Sequence, residues 1–131
     1  MRVLQFAFTT DETNEHLPHN FQNRNIAYTG THDNDTLLGW WKSLQSNERK
    51  KVAGYINSKS GNIRERLIEW IWSSTAEIAI IPMQDLLGLG SEARMNIPGT
   101  ATGNWGWRVQ KRQVRKQQFE FIQRLNKIYN R

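Results

Sequence analysis

Cysteine is absent from the sequence, and so is any long run of apolar residues. The absence of cysteine excludes disulfide bonds, catalysis by a thiolate and zinc sites built on cysteine. No window approaches the ~18 consecutive apolar residues of a membrane-spanning helix. Met1 leads directly into a short apolar run rather than into a basic and then apolar export signal. We therefore expect a soluble, cytoplasmic protein with no membrane partner.

The composition is that of one ordinary globular domain. The 131 residues are 37% hydrophobic and 11% aromatic, which is enough apolar material for a core, so extensive disorder is not expected. The sequence contains no internal repeat and no low-complexity tract. We therefore treat residues 1–131 as a single segment without a separate second domain.

Positive charge is concentrated near the carboxyl terminus. Residues 108–131 contain eight Lys or Arg and one acid, Glu120, while the formal net charge of the whole chain is +6. Such a segment could bind nucleic acid through its charge, but it contains no base-reading motif. Because apolar residues recur there at helical spacing, we favour a helix with a solvated basic face and expect no nucleic-acid partner. The buried stripe is expected to consist of Val114, Phe121, Leu125 and Ile128.

Three runs of strand length predict an α/β fold. Residues 2–8 form a short and largely apolar run, as is typical of a parallel strand covered on both faces. Residues 26–31 and 77–83 are the other two candidates, and Pro82 limits the last because proline cannot donate to the ladder. Helical patterns and loops separate the three runs, which is the order expected of a parallel sheet with helices packed on it.

Polar residues that favour helix starts mark the expected helices. We expect Asp35 to cap a helix that begins near Leu37, Ser46 to cap a second that runs to Ile56, and Asn62 to cap a third. One face of the third helix is expected to carry Ile63, Leu67, Trp70, Ile71 and Ser74.

A polar cluster directly after the second strand is the first candidate site. In residues 31–36, His32 and Asp33 stand where parallel α/β proteins place catalytic groups. A carboxylate there can bind adjacent sugar hydroxyls or stabilise positive charge, but Asp33 could equally serve as a helix cap. His32 is a poor metal candidate because His16 and His19 lie in a separate loop without ligand spacing. We expect no metal site and no cofactor.

The loop rich in glycine and proline after the third strand is the second candidate site. Its residues 91–99 and 103–108 could line a cleft, with Trp105 or Trp107 as an aromatic platform for a sugar. The alternative is that Glu92 and Arg94 only fix the loop and that the tryptophans are core residues, which we favour for each tryptophan taken singly.

An ordered set of motifs resembles the C-terminal part of the amylomaltases, the disproportionating 4-alpha-glucanotransferase family. The set includes Thr31 to Thr36, Gly39-Trp40 and the run from Ser91 to Asn96, and its specificity lies in the order of the motifs rather than in any single one. The set also includes Val3 to Phe8, Leu17 to Asn20, Tyr28 to Gly30, Gln84-Asp85, Pro98-Gly99 and Gly103-Asn104-Trp105. The resemblance covers about Val3 to Arg108, which is most of the chain.

The resemblance implies an α/β fold: the C-terminal portion of a (β/α)₈ TIM barrel, with about three parallel strands and their helices, incomplete as an isolated chain. It implies a retaining mechanism that transfers alpha-1,4-glucan segments between maltooligosaccharides. Asp33 corresponds to the carboxylate that stabilises the transition state, and His32 and Asn96 to substrate-binding residues. Maltooligosaccharide or starch-type glucan is then the expected partner.

The same resemblance puts the nucleophile and the acid/base outside this sequence. Asp11, Glu12 and Glu15 follow the first strand, but none falls within a family motif for these roles. We therefore expect the isolated chain to be inactive, and a non-catalytic glucan-binding module remains the alternative. Uncovered strand edges further suggest a homo-oligomer.

Overall fold

Three short parallel strands form the sheet at the centre of the computed structural model, which describes residues 1–22, 24–57 and 62–131. The strands are β1 (Arg2–Val3), β2 (Ile26–Tyr28) and β3 (Ile78–Ile80), in the order β1-β2-β3. Both pairings are parallel, with Val3 opposite Tyr28 and Tyr28 opposite Ile80. The predicted α/β fold with about three parallel strands is thus confirmed.

Each strand is shorter than the sequence predicts. The prediction of a strand over residues 2–8 is wrong beyond Val3, because Leu4–Phe6 form a 3-10 helix. Leu4 is nevertheless fully buried, and a continuous apolar run does not distinguish a buried strand from a buried helical turn. Likewise, β3 ends at Ile80, before Pro82, as expected of a residue that cannot donate to a ladder.

Five helices flank the sheet within the described ranges. They are α1 (Leu37–Ser43), α2 (Ser46–Tyr55), α3 (Ile63–Trp72), α4 (Met83–Leu87) and α5 (Lys116–Tyr129). The sequence did not predict α4, which is only one turn and a half long and begins directly after Pro82. Among the described residues, no helix is long and apolar enough to cross a membrane.

The helix caps agree with the predictions at one position of three. Asn62 caps α3, because its side chain accepts a hydrogen bond from the Glu65 amide. The cap of α1 is Thr36 rather than Asp35: the Thr36 hydroxyl accepts from the Gly39 amide at 3.1 Å. Ser46 is the first residue of α2 and not its cap, since the Glu48 carboxylate accepts from the backbone amide of Gln45 at 2.6 Å.

The apolar core lies between the sheet and the helices. Its buried members come from the first 3-10 helix, β2, α1, α2, α3, the turn before β3, and α5; they are Leu4, Ala27, Leu37, Val52, Leu67, Ile68, Ile71, Trp72, Ala76 and Leu125. Helix α3 therefore buries the face that its periodicity predicts, although Ser74 lies beyond its end at Trp72.

The basic segment forms a helix with a different buried stripe from the predicted one. Leu125 is fully buried, and Phe121 packs against the core as expected. Ile128 is 56% exposed, however, and Val114 precedes α5. Ile122 and Tyr129 pack against the core instead. They lie three and four residues from the buried Leu125, on the same face of α5, whereas Val114 lies before the helix starts at Lys116.

Candidate functional site

Two loops meet at the edge of the sheet where the parallel strands end. The first, the 30–36 loop, connects β2 to α1, and the second, the 88–107 loop, follows β3 and α4. Because β2 and β3 are parallel, both loops leave the sheet on the same side, as active-site loops of parallel α/β proteins do.

The structure brings together all three site residues that the resemblance implies. The Asn96 side-chain amide donates a hydrogen bond to Oδ1 of Asp33 at 2.6 Å. The Nε2 atom of His32 lies 3.3 Å from the same oxygen. The backbone amide of Asn96 also donates to the carbonyl of His32 at 3.1 Å. Residues from two distant parts of the sequence therefore form a single cluster.

The carboxylate of Asp33 remains accessible in this cluster. The side chains of His32 and Asp33 are 55% and 50% exposed, respectively. Within the described part of the chain, Oδ1 takes the contacts from Asn96 and His32, and Oδ2 receives no hydrogen bond. The arrangement fixes one oxygen of the carboxylate and leaves the other free to accept hydrogen bonds from a ligand.

Trp105 forms an aromatic wall next to His32. The two ring centroids are 5.1 Å apart with an interplanar angle of 36°. Trp105 is 53% exposed, so the expectation that each tryptophan is a core residue is wrong for this one. Its backbone has a φ of 60°, in the left-handed region that residues other than glycine rarely adopt, and such strain is enriched at functional sites. An exposed indole at a polar cleft suits the sugar-platform interpretation.

Arg94 fixes the backbone of both loops. Its Nη2 donates to the carbonyl of Asp33 at 2.7 Å, and its Nε donates to the carbonyl of Asn96 at 2.9 Å. One planar guanidinium thus sets the distance between the two site residues. Glu92 has a similar local role, because its carboxylate accepts from the Gly90 amide at 2.9 Å. The interpretation of Glu92 and Arg94 as loop-fixing residues is confirmed.

Hydrogen bonds within the 30–36 loop hold its turn. The side-chain oxygen of Asn34 accepts from the backbone amide of Thr31 at 2.9 Å and from the Thr31 hydroxyl at 2.8 Å. Gln5 approaches from the first 3-10 helix and donates to the carbonyl of Asp35 at 2.7 Å. A Cβ at Gly30 would stand 2.7 Å from Nε2 of Gln5, so this contact requires glycine at position 30.

Asp35 joins the two loops at a second point. Its Oδ2 accepts from the Ser91 hydroxyl at 2.7 Å, and its Oδ1 accepts from the Thr36 amide at 2.7 Å. Both carboxylate oxygens are therefore occupied by loop contacts, which explains why Thr36 and not Asp35 caps α1. The residue thus fixes the two loops to each other.

A cavity of about 180 Å³ opens beside the cluster, lined by both loops and by the start of α4. His32, Trp105 and Arg94 form part of its wall, and Asp85 lies at its base. The cavity is mostly apolar in lining, with a few polar groups, as small-molecule sites generally are.

Asp85 is the most deeply buried carboxylate of the site, with 2% of its surface exposed. Its Oδ2 accepts from the Thr29 hydroxyl at 2.6 Å, and its Oδ1 accepts from the Leu37 amide at 2.7 Å. Burial raises the pKa of the Asp85 carboxyl above its usual value, and the charge of Asp35 adds to this, while the two hydrogen bonds and Arg64 act against it.

Metal binding finds no support in the described ranges, where no group of three or more His, Cys, Asp or Glu side chains could hold an ion. His32 contacts Asp33 and Trp105, while His16 accepts a hydrogen bond from the Val3 amide. His16 and His32 thus take part in separate contacts.

The sequence did not single out Asp85 as a site residue. It appeared only as part of the Gln84-Asp85 motif, although an acid three residues after Pro82 follows the third strand as Asp33 follows the second. The position of an acid after a strand end was the available signal. The pairing of Asp85 with Thr29 and Leu37 spans more than 45 positions, and no local pattern indicates it.

The fold and the site together define a portion of a parallel α/β barrel with a cleft at the carboxyl ends of its strands, next to the cluster of His32, Asp33 and Asn96. A family model described as 4-alpha-glucanotransferase matches residues 1–114. The chain is 56% identical to the chloroplastic/amyloplastic 4-alpha-glucanotransferase of Solanum tuberosum over 110 residues, 83% of this chain and 19% of the relative. It is 46% identical to the 4-alpha-glucanotransferase of Aquifex aeolicus over 132 residues, 99% of this chain and 27% of the relative.

Solved structures give the same result. The amylomaltase of Streptococcus agalactiae in complex with acarbose matches with a TM-score of 0.95 and 32% identity, over 100% of this chain and 27% of that one. The chain belongs to the 4-alpha-glucanotransferase (amylomaltase) family, as the resemblance predicts. It spans roughly a fifth to a quarter of the length of the relatives named here.

The raised pKa of Asp85 predicts a specific dependence of stability on pH. The folded state holds the Asp85 proton more tightly than the unfolded state, whose carboxyl titrates near its ordinary 3.8. The contribution of Asp85 to the free energy of unfolding therefore falls as pH rises from about 3.8 to the raised folded pKa. We expect Asp85→Asn to remove this slope, measured by urea unfolding from pH 3 to 8.

The difference between the two unfolding curves isolates Asp85, because all other carboxylates are common to both proteins. Asp35 and Arg64 are the charged neighbours that influence Asp85, and both remain in the variant. The free energy of unfolding of the unmodified chain minus that of Asp85→Asn should therefore fall as pH rises. If this difference stayed constant or grew with pH, the assignment would be contradicted.

Proposed function

We propose that this chain supplies the part of a 4-alpha-glucanotransferase active site that stabilises the transition state of glucan transfer. Asp33 is the stabilising carboxylate, and His32 and Asn96 bind hydroxyls of the sugar being transferred. The single observation that carries the proposal is the shared contact of His32 and Asn96 with Oδ1 of Asp33, beside a cleft.

The chemistry of glucan transfer explains the value of this arrangement. A retaining transfer passes through a sugar with positive charge spread over its anomeric centre. A fixed carboxylate stabilises that charge more than it stabilises the neutral substrate, and this difference raises the rate. Because Asn96 and His32 occupy Oδ1, the carboxylate is held in place before substrate arrives.

The substrate proposal is an alpha-1,4-glucan. The related structure from Streptococcus agalactiae contains acarbose, according to its name. In this chain, the cleft beside Asp33 offers an exposed indole at Trp105 and the donors of His32 and Asn96. An aromatic face with flanking hydrogen-bond groups binds a pyranose ring through its apolar face and its hydroxyls.

The proposal also includes the inactivity of the 131-residue chain by itself. A retaining transfer requires a nucleophile and an acid/base whose carboxyl groups are about 5–5.5 Å apart. Of the carboxylates that line the cavity, Asp35 has both oxygens bonded and Asp85 is buried. Asp33, beside this cavity, is half-exposed, but one stabilising carboxylate cannot also serve as both nucleophile and acid/base.

Removal of the Asp33 charge should abolish most of the transfer activity. We would build a hybrid in which residues 1–131 replace the matching segment of the Aquifex aeolicus enzyme, and then introduce Asp33→Asn into it. We expect kcat for maltotriose disproportionation to fall by about 10²–10³, the usual loss for one stabilising group, with a smaller change in KM. Glu120→Gln, which removes an exposed carboxylate of α5, is the matched control and should have no effect. A hybrid that transfers equally well with Asp33→Asn would refute the stabilising role.

The isolated chain should gain activity only when the rest of the barrel is present. We expect no transfer from maltotriose with the purified 131-residue chain, and measurable transfer after addition of the remaining segment of the Aquifex aeolicus enzyme. The Asp33→Asn chain, added in the same way, should not restore transfer. Transfer by the chain alone would contradict the proposal. Saturable maltooligosaccharide binding that Asp33→Ala weakens, without transfer in any mixture, would favour the glucan-binding module instead.

Uncovered strand edges lead to a further proposal, that the isolated chain self-associates. Within the described residues, β1 and β3 each pair on one side only, and Ile78 and Ile80 of β3 are 47% and 38% exposed. Exposed apolar edge strands pair with further strands. We expect light scattering at micromolar concentration to give a mass above that of the monomer, and Ile78→Lys to lower it. Ile128→Lys, at an exposed isoleucine of α5 away from the sheet, is the control. A monomer of the unmodified chain would contradict this.

A further inference from the structure

Both ends of the 30–36 loop are bonded to one buried carboxylate. Thr29, which directly precedes the loop, donates its hydroxyl to Oδ2 of Asp85 at 2.6 Å. Leu37, which directly follows the loop, donates its backbone amide to Oδ1 of the same carboxylate at 2.7 Å. The loop that carries His32 and Asp33 is therefore closed by a single side chain from another element.

The chemistry of this contact makes it rigid. Thr29 and Leu37 are fully buried and Asp85 is almost so, so these hydrogen bonds are largely shielded from water. Hydrogen bonds to an ionised acceptor are stronger than neutral ones, and they strengthen further where the local dielectric constant is low. The two oxygens of a carboxylate have a fixed separation, so they also fix the distance between the two ends of the loop.

Asp85 is itself held from the opposite side. It belongs to α4, whose first turn is closed by a hydrogen bond from the Asp85 amide to the carbonyl of Pro82 at 3.0 Å. Arg64 of α3 donates to the carbonyl of Leu86. The Asp85 carboxylate thus links α3 and α4 to the segment after β2 and to the first residue of α1.

We propose that Asp85 is a positioning residue for the transfer reaction, which sets the conformation of the 30–36 loop through Thr29 and Leu37 and so places Asp33 and His32. Asp85 contacts no substrate in this proposal, and Arg94 and Asn96 hold the same loop from its outer side. The consequence for catalysis depends on the function proposed above, whereas the effect on the loop does not.

The first experiment measures the loop directly in the 131-residue chain. Thr29→Val has the same shape as threonine and removes only the hydroxyl donor, while the backbone bond from the Thr29 amide to the Ile80 carbonyl is retained. We expect hydrogen exchange, followed by mass spectrometry, to become at least about ten-fold faster for amides 31–36 and to stay unchanged in α3. Thr29→Ser, which keeps the hydroxyl, should restore the original rates.

A second variant separates the loop contact from general loss of stability. Trp72→Phe removes the hydrogen bond from the Trp72 indole to Asn126 at 2.9 Å, which joins α3 to α5. It should speed exchange in those helices and leave the 30–36 loop as it was. Equal acceleration of the loop in Thr29→Val and Trp72→Phe, or no acceleration in Thr29→Val, would overturn the proposal.

The second experiment measures transfer in the hybrid with the Aquifex aeolicus enzyme. Small displacements of a catalytic group reduce rates by up to about 10², so we expect Thr29→Val to lower kcat by about ten-fold while KM changes less than two-fold. Thr29→Ser should recover most of this loss. A loosened loop with unchanged kcat would overturn the positioning role. If the unmodified hybrid does not transfer, the proposed function fails, and hydrogen exchange still decides whether Asp85 sets the loop.

Discussion

Parallel pairing of the three strands is the constraint on which the site depends. It directs the carboxyl ends of β2 and β3 to the same edge, so the segments that follow both strands must meet there. The contact of Asn96 with Asp33 is a direct result, although the two residues are 63 positions apart in sequence. An antiparallel β3 would place the 88–107 loop at the opposite edge, and the same side chains would form no cluster.

Polar contacts rather than apolar packing determine the geometry of this edge. Arg94 connects the backbones of Asp33 and Asn96, and Asp35 connects to Ser91. Hydrogen bonds have preferred directions and lengths, whereas apolar contacts tolerate small shifts. The core around Leu67 and Leu125 lies on the helical side of the sheet. Stability and site geometry therefore depend largely on separate sets of residues in this segment.

The sequence predicted those features whose cause is local. The order of strands and helices, the buried face of α3 and the cap at Asn62 all follow from periodicity or from side-chain chemistry within a few residues. The strand over residues 2–8 was overestimated because the apolar run continues into a buried 3-10 helix. Strand length depends on pairing with β2, and that pairing involves residues that the local sequence does not contain.

Features that depend on distant partners were missed for the same reason. Asp35 has the chemistry of a helix cap, but Ser91 takes one of its oxygens, and Thr36 becomes the cap instead. Trp105 has the size of a core residue, yet it lies exposed beside His32. The roles of His32, Asp33 and Asn96 were inferred through family resemblance, because composition and spacing left Asp33 undecided between a cap and a site residue.

The buried carboxylate of Asp85 illustrates how stability and precision conflict at such a site. Burial raises its pKa, which means that the ionised form costs free energy in the fold, and a neutral apolar residue of similar size would avoid this cost. An apolar residue could not, however, accept hydrogen bonds from both Thr29 and Leu37. The Leu37 amide and the Thr29 hydroxyl would then be buried without partners, which is itself unfavourable. A carboxylate at this position thus satisfies two buried donors on either side of the loop. The free energy that its burial costs is offset by a defined geometry of that loop.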